Sequence, residues 1–309
     1  MRSSPQGSDM VPAFERYRDI IPDFSAFLKA VEIRPPTHIR VNTLRVEAEK
    51  FRQAMTEKGY SLAPVAEIPE AFRWESAENP GSTLEYFRGW YQVQGLTSML
   101  PALFLDAQAG EHLLDLCAAP GGKATYLAQL TRNQALIVAN DISHRRIGIL
   151  RSHSDRLGIT SIIVTRYRGQ SFPMRMPFAR ILLDPPCSAE GTYRVGARPP
   201  LTGDPEVSRR LQRLQQMLVT HALKLLRPGG TVVYSTCTYA PEENEAVLHP
   251  ALEEGRAELV PIATPFPHAP GLESWKGHRF HPSLTLAARF YPHLVNSWGF
   301  FIARLRKPE

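Results

Sequence analysis

The chain has 309 residues, of which 43% are hydrophobic and 21% charged, values that exclude collagen-like, coiled-coil and wholly disordered chains. At about 150 residues per domain, this length predicts one large domain or two. The sequence contains no run of about 18 apolar residues and no apolar segment after its first residues, so we expect a soluble, cytoplasmic protein that makes no membrane contact.

Three cysteines, Cys117, Cys187 and Cys237, are widely spaced and form no CxxC pair. This spacing indicates neither a zinc site nor a disulfide framework, and we predict no metal. Isolated thiols fit a reducing cytosol, where they serve as small core residues or as catalytic thiolates.

Residues 1–98 are predicted to form a small α+β domain. Capping and turn signals predict two helices, Asp23–Ala30 and Val46–Lys58. They also predict three strands, His38–Asn42, Tyr60–Val65 and Ala71–Trp74. No compact catalytic motif occurs in this region. We therefore interpret it as a packing or docking domain.

Residues 99–309 are predicted to form a Rossmann-like α/β domain, because apolar strands and helices alternate from Leu113 onward. Several strands are apolar throughout, as strands covered on both faces of a parallel sheet should be. The predicted strands are His112–Leu116, Ala135–Asn140, Ser161–Thr165, Ala179–Leu183, Thr231–Ser235 and Gly299–Arg304. Residues 264–282 are predicted to be an irregular loop rich in Pro and His.

The first motif of this domain, Leu113–Lys123 (LLDLCAAPGGK), carries a strand into a glycine-containing turn and then into a helix that begins near Ala124. Such a turn exposes backbone N–H groups, and the helix N-terminus attracts negative charge. Asp141 ends the next strand 20 residues after Gly121, where an acid would bind a ribose hydroxyl. The spacing favours an adenosine-containing cofactor, and an ordinary βα turn is the alternative.

Basic residues are concentrated between Ile142 and Leu183, where eight arginines accompany one acid, Asp155. The resulting charge of +7 exceeds the +6 of the whole chain. A basic face of this kind favours a polyanionic partner such as nucleic acid. The alternative is a solvated surface that happens to be rich in arginine.

The second motif, Ile181–Ser188 (ILLDPPCS), lies just past the carboxyl end of a predicted strand, where open α/β sheets bind ligands. Its two prolines restrict the backbone and direct Asp184 and Cys187 into the crevice. Taken alone, Cys187 could equally be a small core residue.

A long helix is predicted next, with Asp204 as its N-cap, an apolar stripe that continues to Leu225, and Gly229-Gly230 as its end. The third motif, Val232–Thr238 (VVYSTCT), follows in the next strand. It places Cys237 at a second strand end in the same crevice. Two thiols at the ends of neighbouring strands indicate covalent chemistry at a ring carbon.

Together these motifs resemble the S-adenosylmethionine-dependent RNA cytosine-5 methyltransferases of the Nol1/Nop2/Sun group. The resemblance extends from about residue 35 to the C-terminus. It rests on HIRVNTL at His38–Leu44, CAAPGGK at Cys117–Lys123, DPPCS at Asp184–Ser188, STCT at Ser235–Thr238, PEENE at Pro241–Glu245 and GFFIARLRK at Gly299–Lys307. It implies a seven-stranded methyltransferase sheet.

The resemblance also implies residue roles. Cys237 would be the nucleophile that adds to cytosine C6, Cys187 would assist release of the product, and Asp184 would bind the N3/N4 edge of the base. The cofactor, S-adenosyl-L-methionine, would be held by Cys117, Ala118, Ala119, Pro120, Gly121, Gly122, Lys123, Asp141, Arg146, Arg168 and Asp184. The expected partner of this monomeric enzyme is ribosomal or transfer RNA. The N-terminal domain, residues 1–98, and the arginines between Ile142 and Leu183 would hold the RNA backbone.

The sequence departs from the family pattern at two positions. Arg168 stands where the family usually has an acid, and a guanidinium accepts no hydrogen bond. Ala189 replaces the glycine of the family's CSGxG. Two alternatives stay open: an RNA-binding or assembly protein with a degenerate cofactor site, and a DNA cytosine-5 methyltransferase, whose nucleophile would be Cys187.

Overall fold

The structure, a computed structural model, describes residues 11–173, 175–194 and 204–309. Residues 1–10 of the predicted N-terminal domain lie outside the described residues. The helices in the described part are α1 (Val11–Glu15), α2 (Phe24–Val31), α3 (Ala48–Glu57), α4 (Leu84–Phe87), α5 (Leu96–Phe104), α6 (Gly122–Leu130), α7 (His144–Leu157), α8 (Pro205–Leu225), α9 (Glu245–Glu253) and α10 (Pro292–Val295).

The strands in the same ranges begin with β1 (Thr37–Val41), β2 (Leu62–Pro64), β3 (Ala71–Trp74), β4 (Tyr91–Val93), β5 (His112–Asp115), β6 (Leu136–Asn140), β7 (Ile162–Thr165) and β8 (Phe178–Leu183). They continue with β9 (Leu226–Thr236), β10 (Glu258–Val260), β11 (Ala269–Pro270), β12 (Ser274–Trp275), β13 (His278–Arg279), β14 (Ala288–Phe290) and β15 (Phe300–Arg306).

An antiparallel sheet in the order β2-β3-β1-β4 forms the smaller of the two main sheets. Phe51 and Met55 of α3 pack on its apolar face beside Ile39 and Trp74. The predicted helices and strands of this region are confirmed within a few residues at each end. The side chain of Asp23 caps α2 by accepting the N–H of Ala26 at 3.0 Å.

The first two helices pack elsewhere. Phe14, Tyr17 and Phe27 of this segment are buried in one cluster with Tyr239 and Tyr291, which lie far along the chain. Residues 11–31, the N-terminal segment, therefore lie against the loop that follows β9. Strand β9 carries the third motif.

The larger sheet has the order β11-β14-β15-β9-β8-β5-β6-β7, with β10 added beside β15. Strands β5 to β9 pair in parallel, whereas β15 is antiparallel to β9 and to β14. This confirms the predicted Rossmann-like α/β fold. Seven strands from β7 to β14 make its continuous path, and the short strands β10 and β11 extend it.

Helix α8 has the predicted Asp204 cap, whose carboxylate accepts the N–H of Glu206 at 2.9 Å. It ends at Leu225, earlier than Gly229, and β9 begins at Leu226. Pro228 accounts for the early end, because a residue before proline is disfavoured in the helical conformation. The predicted irregular region at 264–282 contains the short strands β11, β12 and β13.

Strand β1 connects the smaller sheet to the helix that follows the first motif. The buried guanidinium of Arg40 lies 4.3 Å from the centre of the Tyr126 ring and donates to the carbonyl of Gly122 at 3.3 Å and to Thr125 Oγ1 at 3.2 Å. The side-chain amide of Asn42 donates to the carbonyl of Leu157 at 2.8 Å. These bonds give the HIRVNTL motif a packing role.

None of the helices in the described part of the chain has the length and hydropathy needed to cross a bilayer.

Candidate active site

The carboxyl ends of β5, β8 and β9 meet at one edge of the larger sheet. From β5 the chain builds β6 and β7 on one side, and β8 then pairs on the other side of β5. Such a change of direction leaves a crevice between the two neighbouring strand ends, which is where open α/β sheets bind ligands. All three predicted motifs end at this crevice.

The turn after β5 is fixed by backbone hydrogen bonds. The N–H of Ala118 donates to the carbonyl of Asn140 at 2.7 Å, and the N–H of Gly121 donates to the carbonyl of Ala118 at 2.8 Å. Gly121 has φ 104°, a left-handed conformation that favours glycine. The turn therefore depends on this residue.

We expect Gly121→Ala to destabilise the protein by about 1–3 kcal/mol, because a non-glycine residue is strained at this φ and its Cβ would lie 3.1 Å from Leu150 Cγ. Thermal unfolding measures the loss. The control is Gly148→Ala within α7, where an added Cβ meets nothing within 4 Å and the change should stabilise by about 0.5–1 kcal/mol. Equal effects of the two variants would contradict the role of the turn.

Asp141 lies beside this turn and is buried. Its Oδ1 accepts the N–H of Ser143 at 2.8 Å, and its Oδ2 accepts the N–H of Ala119 at 3.3 Å. Arg146 approaches the same carboxylate at 3.5 Å and donates to the carbonyl of Ala119. The predicted cofactor residues Asp141 and Arg146 are thus brought together with the turn.

Two cavities open into the crevice, and both are lined by Cys117, Asp184 and Cys237. The first, of about 320 Å³, is also lined by Asp141, Arg146, Tyr167 and Cys187, among others. The second, of about 430 Å³, lies between the crevice and the smaller sheet. Its further lining residues include Gln94, Asp115, Lys123, Trp298 and Phe300.

An ion pair occupies the wall between the cavities. Lys123 Nζ donates to Asp184 Oδ2 at 2.6 Å, and Ser235 Oγ donates to Asp184 Oδ1 at 3.1 Å. Burial acts to lower the pKa of Lys123, but the charge and hydrogen bond of Asp184 outweigh it and the net pKa is raised. Lys123 therefore stays protonated and holds Asp184 in place.

Asp115, at the end of β5, is buried, and neither of its carboxylate oxygens has a hydrogen-bond partner in the described residues. Burial raises the pKa of Asp115 to about 8, although the charge of Lys123 opposes the shift. Because Asp115 lines the 430 Å³ cavity, an unpaired buried acceptor faces a space that a ligand could fill.

The pKa of Asp115 predicts a pH-dependent stability. The folded state holds this proton up to about pH 8, whereas the unfolded carboxyl loses it near its ordinary value of 3.8. The stabilising contribution is therefore full in acid and lost as the pH rises towards 8. Asn carries no titrating proton, so we expect the melting temperature of Asp115→Asn to rise relative to that of wild type as the pH increases from about 5 to 8.5. The rise should be about 2–4 °C for each kcal/mol of unfolding free energy that the wild type loses.

The control for this measurement is Asp155→Asn, at an exposed carboxyl on α7. Its difference from wild type should not change over the same pH range. A constant difference between Asp115→Asn and wild type would contradict the raised pKa.

The two thiols of the second and third motifs meet. Cys187 Sγ and Cys237 Sγ are 3.3 Å apart and share a hydrogen bond. That bond and burial raise the pKa of Cys187 well above its usual range, so Cys187 keeps its proton. Cys237 lines both cavities, whereas Cys187 lines only the 320 Å³ cavity. The third thiol, Cys117, is kept protonated because burial raises its pKa.

The two departures from the family pattern lie in different settings. Arg168 is exposed, and its neighbours Tyr167 and Gly169 line the 320 Å³ cavity while Arg168 does not. Ala189 adopts a left-handed conformation with φ 59°, at the position where the family pattern has glycine. The structure thus brings the other predicted cofactor residues to the cavities, except Gly121, which forms the turn behind them. It leaves the Arg168 side chain outside.

The arginines between Ile142 and Leu183 divide into two groups. Arg156 donates to the carbonyls of Tyr86 and Tyr91, and Arg180 pairs with Glu111 at 2.7 Å. With Arg146, which donates to the carbonyl of Ala119, these residues make contacts within the protein. Those that remain exposed are Arg145, Arg151, Arg166, Arg168 and Arg175. The basic face is smaller than the count of arginines in the sequence suggests.

Sequence reasoning missed Asp115, a polar group of the crevice, and Arg40, which bonds to the start of α6. Asp115 stands inside the first motif but was not singled out, although an acid in an apolar strand is a signal that could have found it. Arg40 lies far away in sequence and no local pattern connects it to Gly122.

In the described residues no group of three or more His, Cys, Asp or Glu side chains could hold a metal ion.

Comparison with known proteins shows similarity to methyltransferases. The family model described as 16S rRNA methyltransferase RsmB/F matches residues 102–306. The model described as the N-terminal domain of 16S rRNA methyltransferase RsmF matches residues 12–95. A crystal structure described as a methyltransferase homolog protein from Pyrococcus horikoshii is 32% identical, with a TM-score of 0.86 over 99% of this chain and 100% of that one.

Two curated relatives are similar over most of the chain. The human 28S rRNA (cytosine(4447)-C(5))-methyltransferase is 38% identical over 91% of this chain and 35% of its own length. Ribosomal RNA small subunit methyltransferase F of Escherichia coli O9:H4 (strain HS) is 36% identical over 93% of this chain and 60% of its own length. The chain thus spans between a third and three fifths of these relatives. With a family model matching about two thirds of its residues, the chain belongs to the RsmB/F family of methyltransferases.

Proposed function

We propose that the protein transfers a methyl group from S-adenosyl-L-methionine to C5 of a cytosine in RNA, through a covalent bond between Cys237 and C6 of the base. The observation that carries the proposal is the pair of thiols 3.3 Å apart at the ends of β8 and β9, beside Asp184. Cytosine C5 is a poor nucleophile, so its methylation requires a thiolate that first adds to C6. The pair would supply that thiolate and a second thiol beside it.

In the first step the thiolate of Cys237 adds to C6, and the electron pair of the C5=C6 double bond moves to C5 and into the ring. C5 then has the character of an enamine carbon and can attack a methyl donor. Cys237 suits this role because it lines both cavities, so a base can reach it from the side of the smaller sheet.

Asp184 would accept a hydrogen bond from the N4 amine of the base and so hold its edge. Lys123 holds Asp184 in place, because its ammonium group donates to Oδ2 at 2.6 Å. Once C5 carries the methyl group, a base takes the C5 proton, the C5=C6 bond re-forms and the bond from C6 to Sγ of Cys237 breaks. Cys187 lies next to that sulfur and would assist this release.

The residues of the crevice fit the proposed cofactor. Ile142, Tyr167 and Leu218 give the 320 Å³ cavity an apolar wall for an adenine ring, and Asp141 would accept hydrogen bonds from a ribose. The unpaired oxygens of Asp115 match the ammonium group of an amino acid. When bound, S-adenosyl-L-methionine supplies a methyl group activated by a positively charged sulfur.

The proposed substrate is ribosomal RNA, since both relatives named above are ribosomal RNA methyltransferases. The exposed arginines of the 142–183 segment would contact its backbone phosphates. A base that must reach both cavities has to leave its stack, which favours single-stranded or flipped cytosines.

The proposal is tested by incubating the purified protein with labelled S-adenosyl-L-methionine and, in separate reactions, with ribosomal and transfer RNA from a strain that lacks the gene. Bisulfite sequencing then maps new 5-methylcytosines. We expect a modified cytosine in ribosomal RNA. Incorporation into transfer RNA alone would overturn the substrate, and incorporation into neither would overturn the reaction.

Two further measurements separate the alternatives. Calorimetry should show micromolar binding of S-adenosyl-L-methionine, and no binding would favour an RNA-binding protein with a degenerate site. RNA that contains 5-fluorocytosine should become cross-linked to Cys237, because fluorine at C5 cannot leave as a proton. Cross-linking to Cys187 would favour the arrangement expected of a DNA cytosine-5 methyltransferase.

A further inference from the structure

A chain of buried hydrogen bonds connects the N-terminal segment to both thiol loops. The hydroxyl of Tyr17 donates to Glu190 Oε2 at 2.7 Å, and Thr238 Oγ1 donates to the same oxygen at 3.0 Å. Thr238 Oγ1 also lies 2.7 Å from Ser188 Oγ. Tyr17, Glu190 and Thr238 are all at least nine-tenths buried.

The direction of these hydrogen bonds follows from the number of protons available. The single hydroxyl proton of Thr238 goes to Glu190, so Thr238 Oγ1 must accept from Ser188 Oγ as well as from the N–H of Ala240 at 3.2 Å. Tyr17 remains a donor, because burial and the nearby carboxylate raise its pKa well above the usual range. When Glu190 is ionised, each of the three hydroxyl groups thus has one direction of donation.

The carboxylate of Glu190 bonds across the two loops that carry the thiols. The Cys187 loop is residues 184–194, after β8, and the Cys237 loop is residues 237–244, between β9 and α9. Ser188 and Glu190 follow Cys187 within three residues, and Thr238 follows Cys237 directly. A second bond joins the same loops, since the N–H of Gly191 donates to the carbonyl of Cys237 at 2.8 Å. Removing the carboxylate would leave the Thr238 hydroxyl without its acceptor. The loops would then be joined by this backbone bond, by the Ser188–Thr238 hydrogen bond and by the contact of the two thiols.

The aromatic ring of Tyr17 is itself fixed by packing. It lies 6.1 Å from the ring of Trp275 in a stacked arrangement and 6.3 Å from the ring of Tyr239 edge to face. Next to it, Arg16 pairs with Glu242, which belongs to the segment just after the third motif. The N-terminal segment therefore contacts the Cys237 loop with both residues.

We propose that Tyr17 and Glu190 are positioning residues, which hold the Cys187 and Cys237 loops at the separation that the covalent steps need. They touch neither cavity, so they act through Ser188 and Thr238 and not on the substrate. The inference rests on the proposed function, in which both thiols act on one base. It makes the N-terminal segment part of the architecture of the active site.

The test compares wild type with Tyr17→Phe, which keeps the ring and removes only the donor. Thiol separation is measured without RNA, using a bifunctional thiol reagent that becomes fluorescent only when it joins two neighbouring thiols. Cys187→Ala gives the background signal. We expect Tyr17→Phe to bridge its thiols more slowly than wild type and to lose about tenfold in kcat, with little change in KM for RNA. Tyr60→Phe, at a partly buried ring packed against the core of the smaller sheet, is the control.

A second pair of variants guards against simple unfolding. Glu190→Gln keeps an oxygen that can accept both hydroxyl hydrogen bonds, whereas Glu190→Ala does not. We expect the glutamine variant to recover most of the bridging rate and kcat that the alanine variant loses, at matched thermal stability. Glutamine and alanine variants that behave alike, or a Tyr17→Phe protein with wild-type bridging and kcat, would overturn the inference. Failure of wild type to methylate RNA would instead overturn the proposed function.

Discussion

Replacing Cys237 with alanine is expected to abolish methyl transfer to RNA, with a loss of about 10⁴-fold or more in kcat, since removal of a covalent nucleophile leaves no alternative path of comparable rate. The alanine protein should keep its fold and its affinity for S-adenosyl-L-methionine, because the turn after β5 is fixed by its own backbone bonds. Labelled methyl incorporation measures the activity, and calorimetry measures the affinity.

The outcome also separates Cys237 from its neighbour. The two sulfurs are 3.3 Å apart, so a base that reaches one thiol comes close to the other. A Cys237→Ala protein that still cross-links 5-fluorocytosine RNA would transfer the role of nucleophile to Cys187. Wild-type methylation by the same protein would remove the covalent mechanism altogether.

Replacing Cys187 with alanine should have the opposite effect on the covalent intermediate. Cys237 can still add to C6, but release loses its neighbouring thiol, so a protein–RNA adduct should accumulate while turnover falls. A denaturing gel would show it as a slowly migrating band that disappears after ribonuclease treatment. The raised pKa of Cys187 adds that its thiol is protonated when the base arrives.

The double variant Cys187→Ala/Cys237→Ala is the control for this band, because it has no thiol that can reach C6 in the proposed mode. It should form no adduct. A Cys187→Ala protein that turns over at the wild-type rate without an adduct would contradict the release role and leave Cys187 with packing alone.

The main strands of the larger sheet were predictable because buried strands have a recognisable local pattern of apolar residues. Runs such as Ile181–Leu183 are apolar at every position, which only a strand covered on both faces requires. The short strands β10 and β11 were not, since three residues or fewer carry no period. Their pairing is set by β15 and β14, which lie later in the chain.

The meeting of the two thiols was also predictable, because parallel strands that are neighbours in a sheet end at the same edge. The partners of the site were not. Nothing in the sequence around Tyr17 indicates a contact with Glu190, which lies 173 residues away. The number of arginines in the 142–183 segment also does not show that Arg156 and Arg180 make contacts within the protein. Such pairs depend on the folded chain as a whole.

The place of Arg40 restricts how this protein can be divided or recombined. Its charge is buried against Tyr126 and bonded to Gly122, within the first motif itself. A fragment that begins at α5 would lose this cation and leave Thr125 without that donor. We therefore expect residues 96–309 to be less stable alone than in the whole chain. We expect chimaeras that exchange the N-terminal domain to need an arginine at this position. If the proposed function holds, a substitution of Arg40 should lower the affinity for S-adenosyl-L-methionine, although Arg40 lies some 80 residues before Gly122 in the chain.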